Sequence, residues 1–146
     1  MPKLFTHAEA QELLPRVADL LRQAIALKDE YEEAGGELKR LQERIMMLGG
    51  VVTDRERALA VRQRRDAAAA RLKAAIEAVQ EMGCIVKDLD NGLVDFPTRF
   101  RGVEVYLCWK LGEAEIGYWH GVDEGFRGRK AIDQDFLDHH EGEDED

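Results

Sequence analysis

A chain of 146 residues, 45% of them hydrophobic, is long enough to bury one core without disulfides or a structural metal. No stretch reaches the roughly 18–20 apolar residues of a membrane-spanning helix, and the absence of serine excludes a serine hydrolase. The formal net charge of −9 comes from residues 133–146, which contain eight acids and no lysine or arginine; the remainder is nearly neutral.

The two cysteines, Cys84 and Cys108, show neither a CxxC nor a Cys/His spacing. Such spacings are typical of zinc fingers and thiol redox motifs, and they are absent here. We therefore expect both cysteines to be reduced thiols that form no disulfide. The first residues lead into a polar helix start and carry no signal-peptide pattern. The sequence therefore predicts a cytoplasmic protein without membrane contact, and it implies no cofactor.

The first half of the chain predicts a long helix that begins after Thr6. Thr6 and Glu9 have the spacing of a capping box, in which each side chain binds the backbone amide of the other residue. Apolar residues then recur in steps of four and three from Leu13 to Leu48, a heptad pattern. Pro15 is expected to kink this helix, and Gly35-Gly36 marks a weak point or a break.

A second helix is predicted after Gly49-Gly50, where the heptad pattern stops. Thr53 and Glu56 have another capping-box spacing, and Gly83 is placed as the C-terminal cap. The apolar positions of this helix are rich in alanine, which lets two helices approach closely. Residues 7–82 are therefore predicted to form an antiparallel helical hairpin.

The length of the first helix predicts self-association. At a rise of 1.5 Å per residue, a helix over residues 7–48 would be about 60 Å long, more than one small core can cover. We therefore expect a homodimer in which a second copy covers the excess apolar stripe.

The apolar period changes from helical to two after the second helix, which indicates strands. Asn91-Gly92, a strong two-residue turn signal, is predicted to join one hairpin, and a turn near Gly112-Glu113 a second. Residues 84–120 should therefore form a four-stranded antiparallel meander.

The fold predicted from these elements is α+β, a long antiparallel helical hairpin followed by the β-meander. Residues 1–132 are expected to form a single domain, in which residues 121–132 are a loop rich in glycine and arginine. Residues 133–146 are predicted to be an acidic tail, either disordered or a frayed helix.

Three aspartates are candidates for chemistry in the first hairpin. If Asn91-Gly92 is the turn, Asp88 faces Asp95 directly, and Asp90 shares their side of the sheet. Like charges at opposed positions destabilise each other. Three interpretations stay open: a solvated surface, a network with nearby arginines, or a catalytic or metal-binding cluster, for which carboxylates alone would favour Mg²⁺, Ca²⁺ or Mn²⁺.

The second hairpin contributes His120. A turn at Gly112-Glu113 would place His120 beside Trp109 on the apolar side, with Trp119 on the other side. The imidazole is then either a hydrogen-bonded structural group or a titrating or ligating one, with Asp123 close enough in sequence to orient it. Cysteine catalysis at Cys108 has little support, because only Lys110 is an adjacent base.

Residues 125–130 form a further candidate site, since Arg127 and Arg129 lie among glycines with exposed amides. Arginine forks match carboxylate and phosphate oxygens, so this run is either an anion clamp or a loop that pairs with the aspartates. The second helix also carries a local excess of arginine. A solvated face paired with glutamates of the first helix explains it better than nucleic-acid binding, which the overall acidity opposes.

Several sequence blocks together carry a family signal: Val86–Asp90, Gly92–Pro97, Tyr106–Trp109, Ile116–His120 and Gly125–Arg129. They resemble the DUF2203 family of small bacterial proteins of unknown function, over the chain up to about residue 132. The resemblance implies a stand-alone bacterial cytoplasmic protein and assigns a role to no residue.

Two functions follow as hypotheses. The first is a dimeric binding or adaptor module for a protein partner, whose recognition surface lies at the sheet end and comprises Asp88, Asp95, Trp109, Trp119, His120, Asp123, Arg127 and Arg129. The second is a metal-dependent or acid–base enzyme. It would use Asp88, Asp95 and His120 on a small anionic substrate held by Arg127 and Arg129, and it requires those side chains to converge.

Overall fold

The computed structural model describes residues 3–143 and has the predicted α+β architecture. Two long helices precede an antiparallel sheet of six strands, in place of the predicted four. The elements are α1 His7–Leu48, α2 Val52–Glu81, β1 Ile85–Asp88, β2 Leu93–Phe100, β3 Val103–Lys110, β4 Tyr118–Gly121, β5 Lys130–Ala131, α3 Gln134–His139 and β6 His140–Glu141, with a 3-10 turn at Phe126–Gly128. The chain divides into two compact units: Arg22–Ala75, and the residues that precede Arg22 together with those that follow Ala75.

Helix α1 begins where the capping box predicts. The Thr6 amide donates to Glu9 Oε1 at 2.9 Å, and the Glu9 amide donates to Thr6 Oγ1 at 3.1 Å. The helix is continuous through Pro15 and Gly35-Gly36, so the possible break at the glycine pair is absent.

In the unit Arg22–Ala75, α1 and α2 pack through a small core of Ala34, Leu38 and Val61. Glu37 on α1 pairs with Arg57 on α2 at 2.7 Å, as expected for a solvated arginine face. Helix α2 begins at Val52, one residue before the predicted cap, because the Val51 carbonyl already accepts from the first-turn amides.

In the other unit, one face of the sheet packs on the first turns of α1 and the end of α2. The strand order is β1-β2-β3-β4-β5, the expected meander extended by one short strand, and β6 pairs with the C-terminal end of β2. The largest fully buried side chains of this core include Phe5, Phe96, Leu107 and Ile116.

The predicted register of the first hairpin is wrong, and Asp88 does not face Asp95. The structure pairs Ile85 with Asp95 and Asp88 with Leu93, with an irregularity between Val86 and Asp88. The turn is longer than the two residues predicted because the Asp88 carboxylate accepts from both the backbone amide and the side-chain amide of Asn91. An acidic cluster built on Asp88 and Asp95 therefore does not form.

The predicted register of the second hairpin is wrong by one residue. His120 pairs with Tyr106 and Trp119 pairs with Leu107. Residues 111–117 form a longer connection than a two-residue turn, and β4 begins only at Tyr118. Because a one-residue slip moves every side chain to the other face, His120 leaves the helix-packed face and Trp119 joins it.

The C-terminal segment is folded where a disordered tail or a frayed helix was predicted. The Asp133 carboxylate caps α3 by accepting from the Phe136 amide at 2.8 Å. Phe136 is 1% exposed and stacks on Phe100 and Trp119, with ring centroids 4.8 and 5.0 Å away. One buried aromatic ring thus fixes an otherwise acidic segment; residues 144–146 of the predicted tail lie outside the described residues.

Within residues 3–143, no helix combines the length and apolarity that a membrane span requires. The heptad stripe of α1 is largely buried within the chain itself: Val17, Ala24, Ala34 and Leu38 are each at most 2% exposed. The remaining support for a homodimer comes from exposed apolar residues near the end of α1, such as Met47, which is 81% exposed. The homodimer stays a prediction.

Candidate functional site

Three polar side chains are buried together on the sheet face opposite the helices. Asp95, Cys108 and His120 are only 1%, 2% and 2% exposed. One ligand atom from each, a carboxylate oxygen, the thiol sulfur and an imidazole nitrogen, lies within 4.8 Å of the other two. We call these three residues the polar cluster.

Strand pairing alone brings the polar cluster together. Asp95 on β2 and Cys108 on β3 are direct cross-strand partners, so their side chains share one face. On β4, His120 is opposite Tyr106, two positions from Cys108 on the same face. The cluster thus lies across three neighbouring strands.

The hydrogen bonds of His120 define where protons must be. Nδ1 lies 2.8 Å from the Gly121 carbonyl oxygen, which can only accept, so Nδ1 carries a proton. Nε2 lies 3.0 Å from Asp95 Oδ1, and this bond needs one further proton, on either atom. The pair therefore holds one shared proton and is neutral overall, which suits its burial.

The ionisation of the cluster is shifted by its burial. Burial raises the pKa of the Asp95 carboxyl above its ordinary 3.8, and the neighbouring His120 opposes part of that effect. Burial, reinforced by the nearby Asp95 charge, raises the pKa of the Cys108 thiol to about 11, against the opposing effect of Arg129. Without a bound cation, Cys108 is therefore a neutral thiol near pH 7.

Asp95 carries an unsatisfied atom. Among the described residues, Oδ2 of its buried carboxylate has no partner within hydrogen-bond distance and angle. The Cys108 thiol is nevertheless close enough to the carboxyl to lower its pKa as a weak donor, against the effect of burial. A buried polar atom without a partner costs roughly 1–3 kcal/mol, so its retention calls for an explanation such as an ion. Oδ2 belongs to the same cluster as a thiol and an imidazole, the other two side-chain types that bind transition metals.

Two of the three ligand atoms already have nearly the spacing of ligands on a tetrahedral metal. Zinc binds nitrogen and oxygen at about 2.0–2.1 Å, which places two such ligands roughly 3.3 Å apart. His120 Nε2 and Asp95 Oδ1 lie 3.0 Å apart, so only a small opening is needed. The Nδ1 hydrogen bond to a backbone carbonyl is also the usual support of a histidine that binds metal through Nε2.

Arg129 lies over the cluster side of the sheet. Its guanidinium lies 3.9 Å from the centroid of the Tyr118 ring and 4.2 Å from that of Phe126. It also donates to both carboxylate oxygens of Glu113, at 3.1 and 2.9 Å. The stacking and the bidentate pair hold this positive charge near Cys108, where it favours the thiolate.

The structure separates several of the residues predicted to form one site. Asp95 and His120 meet, but Asp88, the last residue of β1, accepts instead from Asn91 of the β1–β2 turn. Trp109 is 3% exposed and donates its indole N–H to the Glu113 carbonyl, so it belongs to the core. Trp119 also faces the core side, stacked on Phe136.

The arginine-rich loop also differs from the expectation. Asp123 is exposed, and no contact with His120 is seen within residues 3–143. It is Glu124 that accepts from the Gly121 amide at 2.8 Å and pairs with Lys130 at 2.7 Å. Arg127 is exposed and lines a pocket, whereas Arg129 pairs with Glu113.

Sequence reasoning missed Cys108 as a member of the site. The sequence offered a weak signal, a cysteine in the middle of a predicted strand that also bears aromatic residues. Only the register, which places Cys108 opposite Asp95 and two positions from the partner of His120, turns it into a candidate ligand.

Comparison with known proteins gives one match. A family model described as an uncharacterized conserved protein (DUF2203) matches residues 3–132. No curated protein and no solved structure matches the chain.

Proposed function

The chain belongs to the DUF2203 family, and from the geometry of its sheet we propose that it is a metal-dependent protein in which Asp95, Cys108 and His120 bind one divalent ion of the zinc class. The observation that carries this proposal is the buried Asp95 Oδ2, which lacks a partner within residues 3–143 and belongs to a cluster with a thiol and an imidazole. An ion bound between the carboxylate, the thiol and the imidazole would balance the two negative charges that Asp95 and Cys108 bring, and would give the buried carboxylate a further partner.

The ligand set points to Zn²⁺ or a similar transition ion and away from Mg²⁺ or Ca²⁺, which prefer oxygen ligands alone. Three protein ligands are typical of catalytic zinc sites, in which the fourth position takes water or substrate. When bound, such an ion polarises substrate oxygens and activates water near neutral pH. His120 would bind through Nε2, held by its bond to the Gly121 carbonyl, and Arg129 would favour the thiolate of Cys108.

The test is cobalt binding by untagged, metal-free protein. Co²⁺ replaces Zn²⁺ in such sites, and a thiolate ligand gives a charge-transfer absorption that carboxylate and imidazole do not. We expect about one Co²⁺ per chain with that absorption, and displacement by Zn²⁺. A protein that binds no Co²⁺, or binds it without the thiolate absorption, contradicts the proposal.

Matched controls are available within the chain. Cys84 is also buried, and burial likewise raises its pKa to about 11, but it donates to the Val79 carbonyl outside the cluster. Cys108→Ser should therefore remove the thiolate absorption while Cys84→Ser keeps it. Asp95→Asn should weaken binding at least tenfold, the usual minimum effect at a metal site, whereas Asp123→Asn should leave it unchanged.

Acid–base catalysis without a metal is the second candidate, favoured by the shared proton between Asp95 and His120. It predicts no thiolate–cobalt absorption and no effect of Cys108→Ser on any activity that His120→Gln abolishes. The binding-module hypothesis stays a prediction, and its support is reduced because Trp109, Asp95 and His120 are buried.

The proposal includes a cytoplasmic location in a bacterial cell. Both cysteines are free thiols, and a Cys108 ligand has to remain reduced. Reducing conditions in the cytoplasm keep such thiols available.

A further inference from the structure

A pocket of about 550 Å³ lies beside the polar cluster. Leu93 and Lys110 line it, and they are direct partners in the β2–β3 register. They are two positions from Asp95 and Cys108 on the same two strands, so the pocket and the cluster occupy consecutive rows of one sheet face. Phe126 and Arg127 of the 3-10 turn line the pocket as well.

The pocket contains two cations without a carboxylate partner in the described part of the chain, although the Lys110 ammonium lies over the Phe126 ring. Arg127 and Lys110 form no ion pair with any residue in the described part of the chain. Their neighbours differ in this respect, because Arg129 pairs with Glu113 and Lys130 pairs with Glu124. A positive charge that faces a pocket and forms no ion pair is available to an anionic ligand.

The charge of the lining selects a monoanion. Asp88 also lines the pocket, and its carboxylate holds the β1–β2 turn through Asn91. Two cations and one carboxylate leave one net positive charge. A ligand with a single negative charge neutralises it, whereas Asp88 would repel a dianion.

The pocket also offers apolar surface. The Phe126 ring is 39% exposed and has the Lys110 ammonium 5.6 Å from its centroid. The Leu93 side chain adds an aliphatic surface on the sheet. Small-molecule sites combine such apolar walls with a few orienting charges.

The geometry points to this pocket as a binding site for a small monocarboxylate with an apolar body, with Arg127 and Lys110 binding the carboxylate and Phe126 contacting the body. The assignment of a carboxylate site depends only on the residues of this pocket. The further assignment, that the pocket holds a substrate for the neighbouring cluster, rests on the proposed metal function. Arginine suits this role because its planar fork can donate to both carboxylate oxygens.

The test is a titration of metal-free protein with benzoate, followed through backbone amide resonances. We expect saturable shifts at Leu93, Lys110, Phe126 and Arg127. Arg127→Gln should weaken benzoate binding about tenfold, as expected for the loss of a charge-assisted bond. Arg16→Gln, which changes an exposed arginine of α1 outside the pocket, should not weaken it.

Two related probes examine the charge and the apolar body. Benzyl alcohol, which has the ring without the charge, should bind more weakly than benzoate, and so should inorganic phosphate. Phe126→Ala should weaken the binding of benzoate and leave the binding of acetate nearly unchanged. Equal affinity for benzyl alcohol and benzoate would overturn the assignment, as would shifts confined to amides outside the pocket.

The outcomes separate this site from the proposed metal function. Benzoate binding that depends on Arg127, in a protein that binds no Co²⁺, keeps the carboxylate site and removes the metal function. Co²⁺ binding without benzoate shifts at the pocket removes the carboxylate site and keeps the metal function. Benzoate binding that Asp95→Asn abolishes and Arg127→Gln leaves intact would place the anion on the cluster and overturn the pocket.

Discussion

The side chains of Asp95 and His120 lie 25 positions apart in the sequence, yet their Oδ1 and Nε2 atoms are 3.0 Å apart inside the sheet. The Gly121 carbonyl fixes the proton on His120 Nδ1, and this leaves one proton to be shared between the two side chains. Burial makes that neutral arrangement the stable one in the metal-free protein. In the proposed metal site, loss of the shared proton would free both side chains to act as ligands.

Metal binding is therefore expected to release protons. Binding through all three ligands removes the proton shared by Asp95 and His120 and the thiol proton of Cys108, or about two protons per ion near pH 7. Calorimetric titration of Zn²⁺ in two buffers of different ionisation enthalpy measures this number. Cys108→Ser should lower it to about one, and Cys84→Ser should leave it at about two. A proton count that Cys108→Ser does not change contradicts the ligand assignment.

The raised pKa of Asp95 predicts a pH dependence of stability in the metal-free protein. A carboxyl whose pKa is raised by folding stabilises the fold below its ordinary pKa of 3.8, and this contribution is lost as pH rises through the raised value. The free energy of unfolding of the wild type should therefore fall relative to Asp95→Asn as pH rises from 3.8 through that value.

Urea titrations of both proteins over this pH range measure the difference. Asp123→Asn is the control, because Asp123 is exposed and should leave the slope of stability against pH as in the wild type. Parallel curves for wild type and Asp95→Asn would show that burial does not raise the pKa of Asp95.

Phe136 is expected to account for the stability of the C-terminal segment. Phe136→Ala removes a ring that is 1% exposed and stacked between aromatic neighbours, so the free energy of unfolding should fall by about 3–5 kcal/mol. Leu137→Ala, at a side chain that is 36% exposed, should cost less than about 1 kcal/mol. Urea denaturation measures both, and equal small losses would show that the segment is not docked as described.

Gly83 is expected to be irreplaceable at the end of α2. Its φ is +99°, and a Cβ there would lie 2.5 Å from Lys3 Cβ and 3.0 Å from the Lys3 backbone nitrogen. Gly112 has a similar φ of +105° with nothing within 4 Å, so Gly112→Ala measures the backbone strain alone. Gly83→Ala should destabilise the protein by at least about 1 kcal/mol more than Gly112→Ala, because of the clash. Equal losses in thermal or urea unfolding would contradict the packing of Lys3 on Gly83.

Local signals in the sequence were sufficient for the helical half of the protein. The start of α1 depends on a capping box that spans four residues, and the end of α2 depends on a glycine with positive φ. The heptad pattern likewise indicates which face of the helix is buried, whatever surface that face packs against. Each of these features depends on interactions between residues that are close together in the sequence, so the sequence shows them directly.

The candidate site could be predicted only in part. The sequence indicated that Asp95 and His120 belong to a region of chemistry, but it paired Asp95 with Asp88 and placed His120 among the core residues. Both errors came from turns that are longer than two residues. The second hairpin is displaced by one position, and the first by three positions at Ile85 and Val86 and by two at Asp88. An odd displacement reverses the face of every side chain on the strand.

The sequence by itself determined the two helices, the meander and the family, because caps, apolar periods and motif blocks act over short distances along the chain. The tertiary structure alone decided which side chains pack on the helices and which share the opposite face of the sheet. The alignment of β2, β3 and β4 depends on the best burial for all three strands together, which no single segment encodes. That alignment places Cys108 with Asp95 and His120, and so turns three separate residues into one candidate metal site.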